Sequence, residues 1–489
     1  MPRVYKFTLF ALFFIGFFDT TVAQRSATNY QSLLARTRQS NAYLNVNAFP
    51  TSDPGSIKVY GHFRLEFDFL TFTRSASTDK PDVEFATDII VYVDVYKAGS
   101  VISERTEQPS ESDLMRNGGN QRRTAGNQIS SKSSTNGPVI PLATEAWTGR
   151  AEAKNYSQTI SNRHFLEGQV HFDLPVGEYD FVFSIREESQ TRIRPMGRVR
   201  YKVVNVSEPQ TSYPIYLLEK ALSDDEDSTK LLGYGNQVPY GSDFDLLIPI
   251  QANSNVENFS VKVSALEFGR RDTTTTKILA DIELESDMVI QGTFTFRNND
   301  KPFLINRIES DNRWVRLQIP ASRFPNVPMK IEVLQTGFPA PYAFKNIQSK
   351  WVDIPTSLLN VSVAVDMMEN LLESEEYKRV RRLNASEKEK YFREFWNPKD
   401  PSPQTEYNEL MVEYYKRVDI AYERYSSATT PGYSSDFGKT YILMGEPDRV
   451  SRRFPPDQPT LEIWEYGTRQ IIFQASSGFG DFKIVRTTN

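Results

Sequence analysis

The residues of this chain with the charge to do chemistry gather near its end. Asp400, Arg417, Asp436, Glu446, Asp448 and Arg449 lie in one stretch, interleaved with Gly432, Gly438 and Gly445. Two kinds of chemistry suit these types. Carboxylates drawn from Asp436, Glu446 and Asp448 would act as acid and base on a glycan or peptide, which needs two carboxyls about 5–9.5 Å apart in an open cleft. Alternatively, Arg417 is buried and clamped by Asp400 or Asp436, because a planar guanidinium pairs bidentately with a carboxylate and fixes a join between elements. The structural arrangement is the expected one, since ion-pair networks concentrate charge as readily as active sites do. Asp436 also suits capping of backbone amides before Gly438. The glycines lack the GxxxxGK(S/T) spacing of a phosphate loop. Trp396, Tyr414, Tyr433, Tyr441, Trp464 and Tyr466 read as core, with a carbohydrate groove as the alternative.

The composition removes other chemistries. The chain has 3 histidines, His62, His164 and His171, and no cysteine. A Ser-His-Asp centre or histidine zinc site is therefore excluded from the C-terminal region. Thiolate chemistry, disulfides and lipid attachment at cysteine are excluded throughout. His62 and His171 fall on the polar side of alternating strands and read as exposed. The net charge of -5 gives no basic excess for a nucleic-acid partner. The acidic run at 223–227 lacks the spaced ligands and turn glycine of a calcium loop and reads as a solvated turn. No metal and no cofactor is expected.

Helices and turns must hold the charged stretch. Residues 358–372 read as a helix with a broad apolar face. Ser386 and Glu389 match a capping box that starts a short helix carrying Phe395 and Trp396. Asn397-Pro398 and Asp400-Pro401 break it. Residues 405–425 form the next helix, its stripe made by Leu410, Met411, Tyr414, Val418, Ala421 and Tyr425, with Arg417 at the border. Strands at 440–444, 461–466, 470–474 and 482–485 complete a small antiparallel meander. Its turns fall at 445–448, Gly467 and 478–481.

This segment resembles the GWxTD domain of exported bacterial proteins. The matching residues are Phe395, Trp396, Asp400, Pro401, Asn408, Glu409, Tyr414, Arg417, Ala421, Gly432, Asp436, Gly438, Tyr441, Gly445, Pro447, Asp448, Trp464 and Tyr466. The name-giving pentapeptide stands as Gly432, Tyr433, Ser434, Ser435 and Asp436, with Tyr for Trp and Ser for Thr. Phe437 follows where the family usually has a basic residue. The resemblance covers about the last quarter of the chain and brings no catalytic activity with it. It implies an exported protein of a Gram-negative-type bacterium, with β-rich modules ahead of a mixed C-terminal domain. Trp396, Asp400, Asn408, Arg417, Gly432, Tyr433, Ser435, Asp436, Gly438 and Trp464 are its candidate binding or structural cluster.

Upstream, the chain reads as β. Ile57, Val59, Phe63, Leu65, Phe67 and Phe69 alternate with Lys58, Tyr60, His62, Arg64, Glu66 and Asp68, one set inside and the other outside. The same period returns at 83–95, 170–185 and 199–203, and again between 244 and 334, with Pro and Gly turns. Residues 98–146 are rich in Ser, Asn, Gln, Gly and Arg and read as a disordered insertion. Arg3, Lys6, the apolar run 7–18 and Thr21-Val22-Ala23 read as a signal peptide, too short to cross a bilayer.

The expected organisation is multidomain and mainly β: two Ig-like antiparallel β-sandwich domains followed by an α+β C-terminal domain of helices and then a meander. The segments are a signal peptide at 1–23, a flexible lead-in at 24–44, sandwiches at 45–206 and 207–355, and the GWxTD-like domain at 356–489. The expected function is a non-enzymatic scaffold or interaction protein of the cell envelope, periplasmic or outer-membrane-associated. The C-terminal domain would bind an envelope protein or glycan, and no transmembrane span is expected after signal removal. The alternatives are a carboxylate-dependent hydrolase of envelope polymer and a surface glycan-binding module.

Overall fold

The computed structural model describes residues 42–51, 57–75, 82–100, 140–220, 228–268, 273–296, 301–352, 354–427, 430–456, 458–476 and 481–488. The expected signal peptide, most of the lead-in and of the 98–146 insertion, the acidic run and the 478–480 turn lie outside them. The chain forms two compact units, one over Ser40–Val352 and one holding Asp353–Asn489.

In the first unit, period-two alternation builds four sheets. β1 (Ala42–Pro50), β2 (Ile57–Glu66) and β6 (Phe165–Asp173) form the first, with β2 central. The second joins β3 (Thr73–Arg74), β4 (Phe85–Lys97), β7 (Gly177–Glu187) and β8 (Arg194–Val203), with β5 (Ala143–Ala153) on β4. Val59, Phe63 and Leu65 of one sheet meet Val91, Val93, Phe181 and Phe183 of the other in a shared core. The third sheet holds β9 (Tyr216–Glu219), β10 (Ser228–Lys230), β12 (Phe244–Ile250), β15 (Val289–Phe296) and β16 (Leu304–Ile319). The fourth holds β11 (Gln237–Pro239), β13 (Phe259–Phe268), β14 (Thr273–Glu283), β17 (Pro328–Gln335) and β18 (Ala343–Lys350). Leu246, Ile248, Val315 and Leu317 pack on Val261, Val263, Ile331 and Val333 between these two. The pairings are antiparallel except β11 with β18.

The two sandwiches also share a core. Phe49 and Tyr60 pack with Tyr216, Leu218, Leu247, Phe294, Phe303 and Trp314. This corrects the expected exposed face of β2. Tyr60, His62, Arg64 and Glu66 are 6%, 0%, 3% and 1% exposed, because the third sheet covers the side that alternation assigns to water. His62 lies between Phe296 and Phe303, with ring centroids 4.8 and 5.0 Å away, and neither ring nitrogen has a hydrogen-bond partner. Burial lowers its pKa to about 3. Arg64 pairs with Glu167 and lies 4.4 Å from the Tyr234 ring centroid. Glu66 accepts from the Tyr43 hydroxyl at 2.9 Å, and Lys350 donates to that hydroxyl at 3.1 Å. His171 is exposed, as expected.

The C-terminal unit is helices and then an antiparallel meander. The expected helix at 358–372 is three short pieces: 3-10 turns at Thr356–Leu359 and Met368–Asn370, and α1 (Val361–Asp366) between them. The Asn360 side chain accepts from Ser362 N and Val363 N and so starts a new helix, while Val361, Val363 and Val365 propagate one poorly. After α2 (Ser374–Arg381), α3 (Ala385–Trp396) begins with a capping box two residues earlier than expected, Asn384 with Glu387 rather than Ser386 with Glu389. The next helix, α4 (Glu409–Tyr425), starts at its N-cap Asn408.

Residues 440–444 are not a strand. They end α5 (Asp436–Met444), which Ser435 caps and Gly445 terminates at φ 83°. A short apolar run cannot be told from a buried strand by periodicity, and here the cap decides. The tight turn expected at 445–448 thus closes a helix. The meander is β19 (Arg449–Arg453), β20 (Leu461–Tyr466), β21 (Arg469–Ala475) and β22 (Phe482–Thr488), paired in that order.

Candidate functional site

Helices α3 and α4 meet at Trp396 and Asn408. The Asn408 side-chain oxygen caps α4 by accepting from Met411 N at 2.9 Å, and its side-chain Nδ2 donates to Trp396 O at 3.1 Å. Trp396 packs against Phe392, Tyr414 and Tyr415. Tyr414 and Tyr415 donate to the carbonyls of Met367 and Ala364, at 2.6 and 2.9 Å. Burial pushes both phenols far up in pKa, so they act as fixed donors. Tyr414 and Tyr415 are core with satisfied hydroxyls, whereas the buried Tyr433 hydroxyl has no hydrogen-bond partner among the described residues, against the expectation that each hydroxyl finds one.

The pentapeptide is a joint. Gly432, Tyr433 and Ser434 form a 3-10 turn against the end of α4. A Cβ on Gly432 would lie 1.9 Å from Ala421 O, and one on Gly438 would lie 1.7 Å from Gly432 O. Only glycine permits this backbone-on-backbone contact. Ser435 bridges the same atoms: its hydroxyl donates to Gly432 O at 2.7 Å and accepts from Gly438 N at 3.0 Å. Either a Ser or a Thr hydroxyl does this, so the exchange within the motif keeps the cap. Tyr433 is buried beside Tyr422, its ring 6.2 Å away and near parallel. Phe437, in place of the family's basic residue, stacks on Trp464 at 5.1 Å and contacts Phe473 and Phe482. Trp464 donates to Glu462 at 2.8 Å.

Asp436 ties this joint to the sheet. Its carboxylate accepts from Ile484 N of β22 at 2.9 Å and from Lys483 Nζ at 3.3 Å. Replacing it with Ala strands the Ile484 amide beside α5. We expect Asp436→Ala to destabilise the C-terminal unit by about 1–3 kcal/mol in urea unfolding, with Asp436→Asn losing less.

Among the described residues, neither Asp400 nor Asp436 forms the expected ion pair with Arg417. Arg417 pairs with Glu413 one helical turn back at 2.7 Å, and its Nη1 lies 3.4 Å from Ile442 O, beneath Gly445. Its charge therefore meets the carbonyl end of α5, where the helix dipole favours a cation. Asp400 instead accepts from Ser402 N at 2.8 Å in the turn after α3. The other acids are engaged elsewhere. Exposed Glu446 takes Arg424 at 3.0 and 3.2 Å and the Tyr441 hydroxyl at 3.3 Å. Asp448 accepts from Gly467 N at 2.6 Å and braces the β20–β21 turn. Asp436 opens α5 and Glu446 follows its end, so about 12 Å of helical rise lies between them.

Sequence reasoning missed a second brace around the joint. Glu369 pairs with Lys439 at 3.2 Å and accepts from the Ser434 hydroxyl at 3.4 Å, while Asp366 pairs with Lys388 at 3.2 Å. The mid-helix Asp419 accepts from Thr356 N and Ser357 N at 2.6 and 3.2 Å. Nothing local marks these acids, whose partners lie far along the chain. Among the described residues, no group of three or more His, Asp or Glu side chains is placed to hold a metal ion.

A helical joint braced by buried polar contacts on a four-stranded meander defines the class of this unit. Residues 355–482 match the family model of the GWxTD domain, so the C-terminal quarter of the chain is a GWxTD domain. No curated protein matches the chain. Among solved structures, the C-terminal domain of the Streptococcus pyogenes antigen I/II-family protein AspA is similar at 9% identity over 64% of this chain and 99% of that one, with a TM-score of 0.16. A superposition that loose carries neither fold nor function across. No helix among the described residues is long and apolar enough to cross a membrane.

Proposed function

We propose that this chain is an exported, non-enzymatic protein of the bacterial cell envelope in which the GWxTD unit is the specific binding end and the β-sandwiches are its support. The observation that carries this reading is the engagement of every candidate acid. Asp436 holds a strand amide, Glu446 an arginine and Asp448 a turn amide. A catalytic pair would need two carboxyls about 5–9.5 Å apart and turned toward substrate, whereas α5 holds Asp436 and Glu446 at opposite ends. The basic start, short apolar run and small residues at 21–23 support export. Pulldown from envelope fractions with the full chain and with a chain lacking residues 356–489 tests the reading. A partner is expected to be recovered only with the full chain, and equal recovery with both overturns it.

A further inference from the structure

The meander has two edges, and the molecule treats them differently. On β22 the Ile484 amide is taken by Asp436, which fastens that edge to α5. A carboxylate in place of a neighbouring strand prevents another chain from pairing there. At the other edge, among the described residues, β19 is hydrogen-bonded to β20 alone. Alternate residues of a strand turn their N–H and C=O groups away from their one neighbour, so β19 presents an unfilled ladder.

The side chains of that edge have a definite chemistry. Arg449, Val450, Arg452, Arg453 and Phe454 are exposed, Val450 by 49% and Phe454 by 75%. Glu462 neutralises Arg452 at 2.6 Å. Among the described residues, no carboxylate pairs with Arg449 or Arg453. Asp448, the acid just before the strand, is turned to the Gly467 amide. Uncompensated guanidinium groups beside exposed apolar side chains on an open edge match a strand that alternates acidic and apolar residues.

We propose that β19 is the docking edge of the GWxTD unit and that its partner is an acidic, extended protein segment that adds as a fifth strand. This rests on the reading of the unit as a binding end and names the partner's chemistry. Main-chain hydrogen bonds supply affinity, and Arg449 and Arg453 select for acid.

The test uses the full-length chain and a labelled peptide of alternating glutamate and valine, about seven residues long to match a strand. Fluorescence anisotropy is expected to show binding that weakens as salt rises. Arg449→Glu with Arg453→Glu is expected to weaken it by about tenfold or more. The same peptide N-methylated at alternate residues is expected to lose binding, since it cannot complete the ladder. Circular dichroism checks that the double variant is folded; both arginines are exposed, so it should be. Equal binding of the N-methylated peptide means simple ionic attraction and overturns the proposal. Binding to phosphatidylglycerol vesicles with none to the peptide overturns it in favour of a membrane-facing edge. If pulldown depends on residues 356–489 but is unchanged in the double variant, the binding-end reading stands and the edge proposal fails.

Discussion

Gly438→Ala is expected to be among the most damaging single substitutions in the C-terminal unit. Gly438 lies in the first turn of α5, where alanine is normally about 1 kcal/mol better than glycine. Here the added methyl would sit 1.7 Å from Gly432 O. Relief requires α5 and the 3-10 turn to part. The turn is itself held by Ala421 O at the Gly432 face, and α5 by Ser435, Asp436 and the Phe437–Trp464 stack. Overpacking in a core that can yield costs about 1–3 kcal/mol, and backbone against backbone yields less. A loss of about 4 kcal/mol or more is expected, a large part of the 5–15 kcal/mol that keeps a domain folded. Urea unfolding followed by Trp396 and Trp464 fluorescence measures it. An unchanged or raised midpoint would mean that the two glycines are not packed face to face.

The first unit is expected to lose about 5 kcal/mol between pH 6.5 and pH 3 through one side chain. His62 is fully buried among Tyr60, Phe296 and Phe303, and its folded pKa is about 3 against the ordinary histidine value of 6.5. A depressed folded pKa leaves stability intact above the unfolded value and removes it as pH falls toward the folded one. At 1.36 kcal/mol per pH unit, the window gives about 5 kcal/mol. Burial is the cause of the shift; Arg64 beside it on β2 is paired with Glu167, and Glu66 is occupied by Tyr43. Asn45 and Gln169 stand opposite on the neighbouring strands. Asp180 titrates lower: bonds from Arg198, Arg200 and Gly99 N outweigh its burial and hold it at about 2, so its contribution fades only below pH 3.8. The His62 loss therefore falls at higher pH than that of Asp180. His62→Phe should flatten that part of the pH profile in calorimetry. A slope that persists in the variant would place the acid sensitivity elsewhere.

Elements made by local pattern were legible in the sequence. Ile89, Val91, Val93 and Val95 of β4 alternate and are buried, and Tyr414, Val418 and Ala421 form the buried stripe of α4. The pentapeptide was legible as the organising feature. What escaped was set by distant chain. β5 carries little apolar signal in ATEAWTGRAEA and is a strand because β4 recruits it. The second face of β2 is buried by strands more than 200 residues on, such as β15 and β16. The Asp436 partner Ile484 lies 48 residues away. Arg417 was read as needing a carboxylate from outside its helix, while the end of α5 and Glu413 supply what it meets.

The central claim is that the GWxTD motif builds a joint, with Asp436 clasping β22 rather than facing a substrate. Amide hydrogen exchange at Ile484, in the full-length chain and in Asp436→Ala, tests it most directly. Slow exchange in the wild type that quickens by about tenfold or more in the variant, in line with a lost charge-assisted bond of about 1.5–3 kcal/mol, is the expected result. Ile484 exchange that does not change, together with loss of turnover on peptidoglycan or polysaccharide in the same variant, would contradict the claim and make Asp436 a catalytic acid.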